Sequence, residues 1–195
     1  MRTRNIIKEQ TVRDEAIKML VAVGFDGFSM NKLAKNCGIS VATLYIYYKD
    51  KDDMVRKIGS EIGRRFFEAT LKDFDPEMDF EVGLYQQWKN RAKHAMENPL
   101  ETACFDVIQH SGHGEFVLKE SIKEFKVVMH RFFTNAVKRK EIDAMPLEVF
   151  WSVAYGPLYT LLRFHTEGKS LGHIPFRLTP KIMDQTFQIV IRALT

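Results

Sequence analysis

An all-α fold is predicted by three features of the sequence. Apolar residues recur at three- and four-residue spacings through nearly the whole chain, and no period-2 alternation is long enough to make a strand. Capping residues, glycines and prolines punctuate that pattern into about nine helices. At 195 residues the chain can bury a real core as one large domain or two small ones. Its 45% hydrophobic and 28% charged content is ordinary for a soluble globular protein. No run of about 18 apolar residues is present, so no membrane span is expected. The opening MRTRNIIKEQ turns polar too quickly for a secretory signal. Cys37 and Cys104 fall in different helical patterns and are expected as free thiols in a reducing cytoplasm.

The first helix is predicted from about Asn5 to Val23, with Val12, Ala16, Met19, Leu20 and Val23 on one side and Gly24 ending it. Arg2 and Arg4 precede it as a short basic arm, either a frayed terminus or a phosphate or minor-groove contact. Phe25 and Phe28 are expected to close a three-helix core. Ser29 stands as N-cap to a two-turn helix carrying Met30, Leu33 and Ala34. Gly38 can take the left-handed conformation that ends it, and Ser40 can cap the next helix, Val41 to about Tyr48. Two helices joined by so tight a glycine-containing turn describe a helix-turn-helix, whose second helix normally enters the DNA major groove. That second helix exposes Thr43, Tyr45 and Tyr47, a face suited to phosphates and base edges, while Leu44 and Tyr48 are read as core.

Asp50 is placed as N-cap of a fourth helix running to Phe74, with Met54, Ile58, Ile62, Phe66 and Ala69 as its stripe and Asp75-Pro76 as its stop. Five further helices are expected, at about 79–97, 99–110, 115–140, 146–168 and 180–194. Asn98-Pro99-Leu100-Glu101 reads as a cap, a proline at the first helical position and a capping-box glutamate. Lys138-Arg139-Lys140 is read as complementing a helix C-terminus, 169–178 as a loop, and Thr179-Pro180 as the next helix start. The last two helices are apolar on more than one face, which requires cover on two sides. A homodimer interface through Leu158, Leu162, Met183, Phe187 and Val190 is the economical expectation. Tyr155-Gly156-Pro157 inside the eighth pattern should kink or open the helix near Val153. The bend either fits the helix around a partner or widens a cavity beside Trp88 and Phe105.

Charge is uneven. Residues 1–50 carry eight Lys/Arg against five Asp/Glu, and residues 51–195 carry 21 against 20. The basic excess therefore sits with the helix-turn-helix, consistent with a nucleic-acid partner. Enzymatic constellations fail one by one. No glutamate has a histidine three residues on, as a bundle di-iron site requires. Gly168-Lys169-Ser170 resembles the tail of a phosphate loop, but Arg163 stands where its first glycine belongs. His110 and His113 near Glu115 lack further ligands and read as surface histidines, so no metal and no cofactor are expected.

The run from Gly24-Phe25 through S-x-x-x-L-A-x-x-x-G-I-S-x-x-T-L-Y-x-Y-Y-x-x-K, residues 29–51 within about 5–55, resembles the DNA-binding domain of the Tet repressor (TetR) family of bacterial transcription regulators. The rest of the chain resembles that family in length and helical make-up. The resemblance implies a helix-turn-helix DNA-binding domain over residues 1–50 and a helical-bundle ligand-sensing and dimerisation domain over 51–195, bridged by the helix from 51 to about 74. It implies a transcription regulator, usually a repressor, that binds double-stranded DNA at a palindromic operator as a homodimer and is released by an unknown, largely apolar small molecule. By position, Thr43, Tyr45, Tyr47 and Lys51 match residues that contact phosphates or base edges, Ser29 and Asn31 match positions that can reach the DNA backbone or a base, and Ser40 is a further DNA-binding candidate. Val41 and Ala42 fall where sequence readout varies, and being small and apolar they can touch only thymine methyls. Tyr47 replaces the commoner histidine, and Ile46 is an aliphatic where polar or aromatic side chains are frequent. Trp88, Phe105, Trp151 and Tyr155 are the candidate ligand-cavity wall, or plain core. An all-α protein-interaction module and an all-α enzyme are the rival classes. The first would lack the steep salt dependence of phosphate neutralisation, and the second needs a reactive constellation.

Overall fold

The computed structural model of the chain describes the backbone of residues 2–195 and the side chains from Glu9 onward. The helices are α1 (Arg2–Gly27), α2 (Met30–Asn36), α3 (Val41–Tyr47), α4 (Lys51–Thr70), α5 (Phe80–Glu97), α6 (Pro99–Gln109), α7 (Gly114–Ser121), α8 (Lys123–Lys138), α9 (Leu147–Ala154), α10 (Gly156–Glu167) and α11 (Pro180–Leu194). A short 3-10 turn lies at Leu171–His173, and the one bridge among the described residues pairs Lys169 with Pro175. The expected all-α class holds. Arg2 and Arg4, expected as a basic arm, lie outside the residues whose side chains are described.

Among the described residues eleven helices stand where nine were expected, because two long patterns are each broken once. The break between α9 and α10 follows from Pro157, which has no N–H to donate to Val153 and sits in the first turn of α10. The break between α7 and α8 has no proline. There the Ser121 hydroxyl donates to the Val117 carbonyl at 2.7 Å, a back-bond that bends helices. Helix α1 is interrupted at Gly24 (φ 67°, ψ −178°), a conformation open essentially to glycine alone, where the sequence placed the helix end. Val23, expected on the buried stripe, is 51% exposed.

Packing divides the chain into two compact units, residues up to Arg65 with Asn98–Lys123, and Phe66–Glu97 with Glu124–Thr195. The division expected after residue 50 does not coincide with them. In the first unit Met54, Val55, Ile58 and Ile62 of α4 share one core with Leu20, Leu33 and Leu44, and with Cys104, Ile108 and Val117. Burial pushes the Cys104 thiol up to about 12, so it stays protonated. Gly59 and Gly63, one turn apart on α4, let α6 and α7 approach closely. A Cβ on Gly63 would lie 2.5 Å from Ser121 Oγ and 2.8 Å from Phe105 Cε2.

The same unit holds an ion-pair network around the buried Arg13 of α1. Its Nε lies 3.2 Å from Glu61 Oε2 and its Nη2 3.1 Å from Glu101 Oε1. Arg65 Nη2 also reaches Glu101, at 2.7 Å. Glu101 was expected to close a capping box at the start of α6, but the two guanidiniums engage it instead, and Asn98 makes no side-chain cap bond.

In the second unit Phe80, Leu84 and Trp88 of α5 pack with Phe132, Phe150, Tyr155, Leu158 and Phe187. Helix α4 ends at Thr70 rather than Phe74, and amides of α5 take the carbonyls at and just beyond that end. Gln87 Nε2 donates to the Thr70 carbonyl at 2.7 Å and Asn90 Nδ2 to that of Lys72 at 2.7 Å. Glu141 accepts the Phe80 N–H at 2.9 Å and so caps α5 from a distant part of the chain. Arg139 donates to the Glu77 and Met78 carbonyls, latching the loop before α5.

The residues expected at a dimer interface pack within the protomer itself. Leu158, Leu162, Phe187 and Val190 are buried in the protomer's own core, and Met183 packs half-buried against it. Helix α10 packs on both α5 and α11, so one protomer covers its two apolar sides without a partner. The large apolar side chain that α11 leaves outward is Ile189, 60% exposed.

Gly63 supplies a test of the close α4 packing. Alanine is favoured over glycine inside a helix by about 1 kcal/mol, whereas overpacking a closed contact costs about 1–3 kcal/mol. Gly63→Ala is therefore expected to lower stability by about 1 kcal/mol net in chemical denaturation. A variant at least as stable as the parent would mean that Ser121 and Phe105 can withdraw.

Candidate nucleic-acid interface

The corner between α2 and α3 is fixed by backbone chemistry at both ends. Gly38 adopts φ 63°, and its N–H donates to the Lys35 carbonyl at 3.1 Å while that of Ile39 donates to Ala34 at 3.0 Å. This double bond pattern ends α2 and turns the chain. Ser40 then caps α3. Its Oγ accepts the Thr43 N–H at 3.2 Å and pairs with the Thr43 hydroxyl at 2.9 Å. Ser29 occupies the N-cap position of α2, but its side chain makes no cap bond, contrary to expectation. Its carbonyl accepts the Leu33 N–H at 2.9 Å.

Helix α3 then sorts its side chains. Leu44 and Tyr48 are buried, as expected, and burial raises the Tyr48 hydroxyl to about 12. Val41 and Tyr47 pack half-buried against the core, so both are less available than the sequence suggested. Ala42 is exposed, Tyr45 is 52% exposed and Ile46 is 76% exposed. Asn31 of α2 is exposed on the surface, as are Lys32 and Lys35. The outward face is thus a small methyl, a phenol and an aliphatic, with lysines on the preceding helix.

The start of α4 is held by a reciprocal cap. Asp50 Oδ1 accepts the Asp53 N–H at 2.7 Å, and Asp53 Oδ2 accepts the Lys49 N–H at 2.9 Å. Burial alone would raise the Asp53 carboxyl, but the Lys49 N–H and Lys57 ammonium hold it below the usual carboxylate range. Lys57 Nζ also donates to the Tyr47 carbonyl at 3.1 Å, placing a cation at the negative end of α3. The sequence gives no sign of this role, because nothing local marks a lysine nearly two turns into a helix as the cap of the preceding one.

Lys51 Nζ sits 3.9 Å from the Phe25 ring centroid. The imidazole of His113, from the turn before α7, packs edge-on to the same ring at 4.8 Å, with Nε2 3.4 Å from Asp52 Oδ1. His113 is therefore a packed residue of this unit and not the surface histidine expected. Among the described residues no group of three His, Cys, Asp or Glu side chains could hold a metal ion.

The four candidate ligand-wall aromatics do not share one core. Phe105 packs against the core of the first unit, whereas Trp88, Trp151 and Tyr155 belong to the second. Trp88 is buried with Nε1 donating to the Ala154 carbonyl at 2.8 Å, and its ring meets Phe187 edge-on at 5.3 Å. Tyr155 is wholly buried and Trp151 is 38% exposed.

Residues 12–58 match the family described as bacterial regulatory proteins, tetR family. An uncharacterized HTH-type transcriptional regulator of Haemophilus influenzae is 25% identical over 178 residues, covering 91% of this chain and 90% of that protein. The negative transcriptional regulator IcaR of the biofilm operon icaADBC in Staphylococcus epidermidis is 30% identical over 73 residues, 37% of this chain and 39% of its own. Among solved structures, a TetR family transcription regulator from Marinobacter aquaeolei superposes with a TM-score of 0.83 at 22% identity, covering 100% of this chain and 98% of that one. No helix among the described residues is long and apolar enough to cross a membrane. The helix-turn-helix geometry and the matched segment agree: residues 12–58 form a DNA-binding segment of the tetR family type, and the whole chain shares the fold of a solved TetR family regulator.

Proposed function

We propose that the chain is a cytoplasmic repressor that binds a palindromic duplex operator as a homodimer and is released by a small, largely apolar molecule held in its second unit. The observation that carries the DNA reading is α3, which turns Ala42, Tyr45 and Ile46 to solvent while Leu44 and Tyr48 hold it to the core. A soluble surface has little use for a phenol and an isoleucine side by side on so short a helix. In a major groove the same pair meets base edges and thymine methyls. Phosphates would be taken by Lys51 and by the exposed lysines of α2, with Asn31 and the Ser29 hydroxyl beside them. The half-buried Val41, Thr43 and Tyr47, with Ser40, support α3 more than they read from it.

Two such helices related by a dyad must lie about 34–36 Å apart to enter successive major grooves. A molecule that binds one conformation of the second unit better than another shifts that spacing, by an amount set by its differential affinity. Repression, rather than activation, is supported by the likeness to a negative regulator.

Tyr45→Ala and Lys51→Ala are expected to weaken duplex binding while the helical far-ultraviolet signal and melting temperature stay near wild type, since neither side chain is buried. Lys51→Ala should also reduce the slope of log affinity on log salt by about one unit. Parental affinity in both variants, or a flat salt dependence in the parent, would favour a protein-interaction module instead.

The dimer is tested at Ile189. Ile189→Glu places a charge on the outward apolar position of α11 without touching the protomer core. It is expected to give a folded monomer by light scattering. A dimer of parental stability would place the interface elsewhere.

A further inference from the structure

The second unit contains a cation that the DNA reading does not use. Arg91 of α5 is wholly buried, and among the described residues no carboxylate pairs with it. Its Nη1 donates to Gln87 Oε1, and Gln87 is fixed in turn by donating Nε2 to the Thr70 carbonyl at 2.7 Å. The other guanidinium edge, Nε with Nη2, is buried and has no hydrogen-bond partner. Those two nitrogens are parallel donors on one side of the fork, the geometry that a carboxylate meets with both oxygens. The Tyr155 ring lies 4.3 Å from the guanidinium carbon, and the Tyr155 hydroxyl is also buried without a partner. Burial pushes that hydroxyl up to about 12 against the opposing pull of Arg91, so it remains a neutral donor.

We propose that Arg91 and Tyr155 together recognise the carboxylate of an otherwise apolar effector. This inference rests on the reading that the second unit holds an effector, and it names that effector's chemical class. The surroundings favour a monoanion with an apolar body. Phe125 lies 5.3 Å and Trp151 5.9 Å from the guanidinium carbon, measured to their ring centroids. One guanidinium neutralises one negative charge, and a dianionic phosphate would leave a second charge among aromatic rings. Trp151 is the partly exposed member of this group, 4.7 Å from Tyr155, and it stands beside the break between α9 and α10. A Cβ on Gly156, at that break, would meet nothing within 4 Å. Movement of Trp151 at this break is the route by which a ligand reaches the pair.

A structural account of Arg91 predicts something different. If stacking on rings were its whole role, methionine would lose those contacts and the protein would weaken. If Arg91 awaits an anion, relief of an uncompensated buried charge offsets the lost bond to Gln87 in the ligand-free protein.

The test uses the full chain without DNA, with thermal shift and the fluorescence of its two tryptophans, Trp88 and Trp151, as readouts. The probes are decanoate, phenylacetate and benzoate, each against its matching alcohol, with decyl phosphate as the competing anion. At least one acid should bind, and its alcohol should bind about a hundredfold more weakly. Arg91→Met should lose about a hundredfold in acid affinity while melting at or above the parental temperature, and Tyr155→Phe about tenfold. Equal binding of acid and alcohol, unchanged acid affinity in Arg91→Met, tighter binding of decyl phosphate, or no response to any acid at millimolar concentration would each overturn the proposal. The acid–alcohol comparison on the parental chain and the Tyr155→Phe affinity decide the matter should Arg91→Met fail to fold. Duplex binding by the ligand-free parent is measured separately, so failure of the DNA reading is distinguished from failure of this one.

Discussion

Seven residues do not make a stable helix in water, and α3 has only seven. Everything the candidate interface does depends on how this helix is held. Its N-terminus is satisfied by Ser40, and its C-terminus by the Tyr48 N–H and the Lys57 ammonium. Leu44 supplies the buried contact that propensity cannot, with Tyr48 just beyond the last turn. Each of these constraints takes side chains out of circulation. Thr43 is tied to Ser40, and Val41 and Tyr47 lean on the core. What is left to face a partner is Ala42, Tyr45 and Ile46, so the identity of the exposed face is a by-product of the requirements of holding the helix at all.

The same logic extends along α4. Its first turn is organised by Asp50 and Asp53, and its middle by Gly59 and Gly63, whose missing side chains admit α6 and α7. Phe25, Lys51, Asp52 and His113 then form one cluster from three separate chain segments. A basic side chain suited to phosphate is thereby placed over an aromatic face rather than left free in solvent, which restricts its rotamers before any partner arrives.

What was legible in the sequence follows the range of the physics. Most local devices were read correctly, the Ser29 cap and the capping box at Asn98 being the exceptions. Gly24, Gly38, the Ser40 and Thr179 caps and the helix stop at Gly168 act within a few residues and leave their signature there. The proline break before α10 was read for the same reason. Devices acting across long separations were not. The ends of α4 and α5 are met by Gln87, Asn90 and Glu141, none of which lies near the end it caps. Glu101 was misread because a capping box and an ion-pair partner look alike until Arg13, 88 residues away, is in place. Leu158 and Phe187 were assigned to a subunit interface because a helix with two apolar sides does not reveal which chain covers them. Of the candidate interface, the segment and its buried members were visible. The half-burial of Val41 and Tyr47 needed the packed core.

Two buried arginines show how little residue type and burial decide alone. Arg13 and Arg91 are both nearly or wholly removed from solvent, and a guanidinium cannot escape its charge by losing a proton. Desolvation is costly for each unless charge and hydrogen bonds are returned. Arg13 recovers both, from Glu61 and Glu101, which themselves remain partly exposed and so give up little hydration. Its network ties α1, α4 and α6 into one unit, and every nitrogen of the Arg13 guanidinium has a carboxylate partner. Arg91 recovers one hydrogen bond from Gln87 and the faces of aromatic rings, which return only part of what hydration supplied. The difference lies in the third dimension, since each set of neighbours comes from helices scattered along the chain. A completed network stabilises one arrangement of helices. An incomplete one makes its arrangement sensitive to whatever completes it, and that sensitivity is what a regulator needs from the part of its structure that senses.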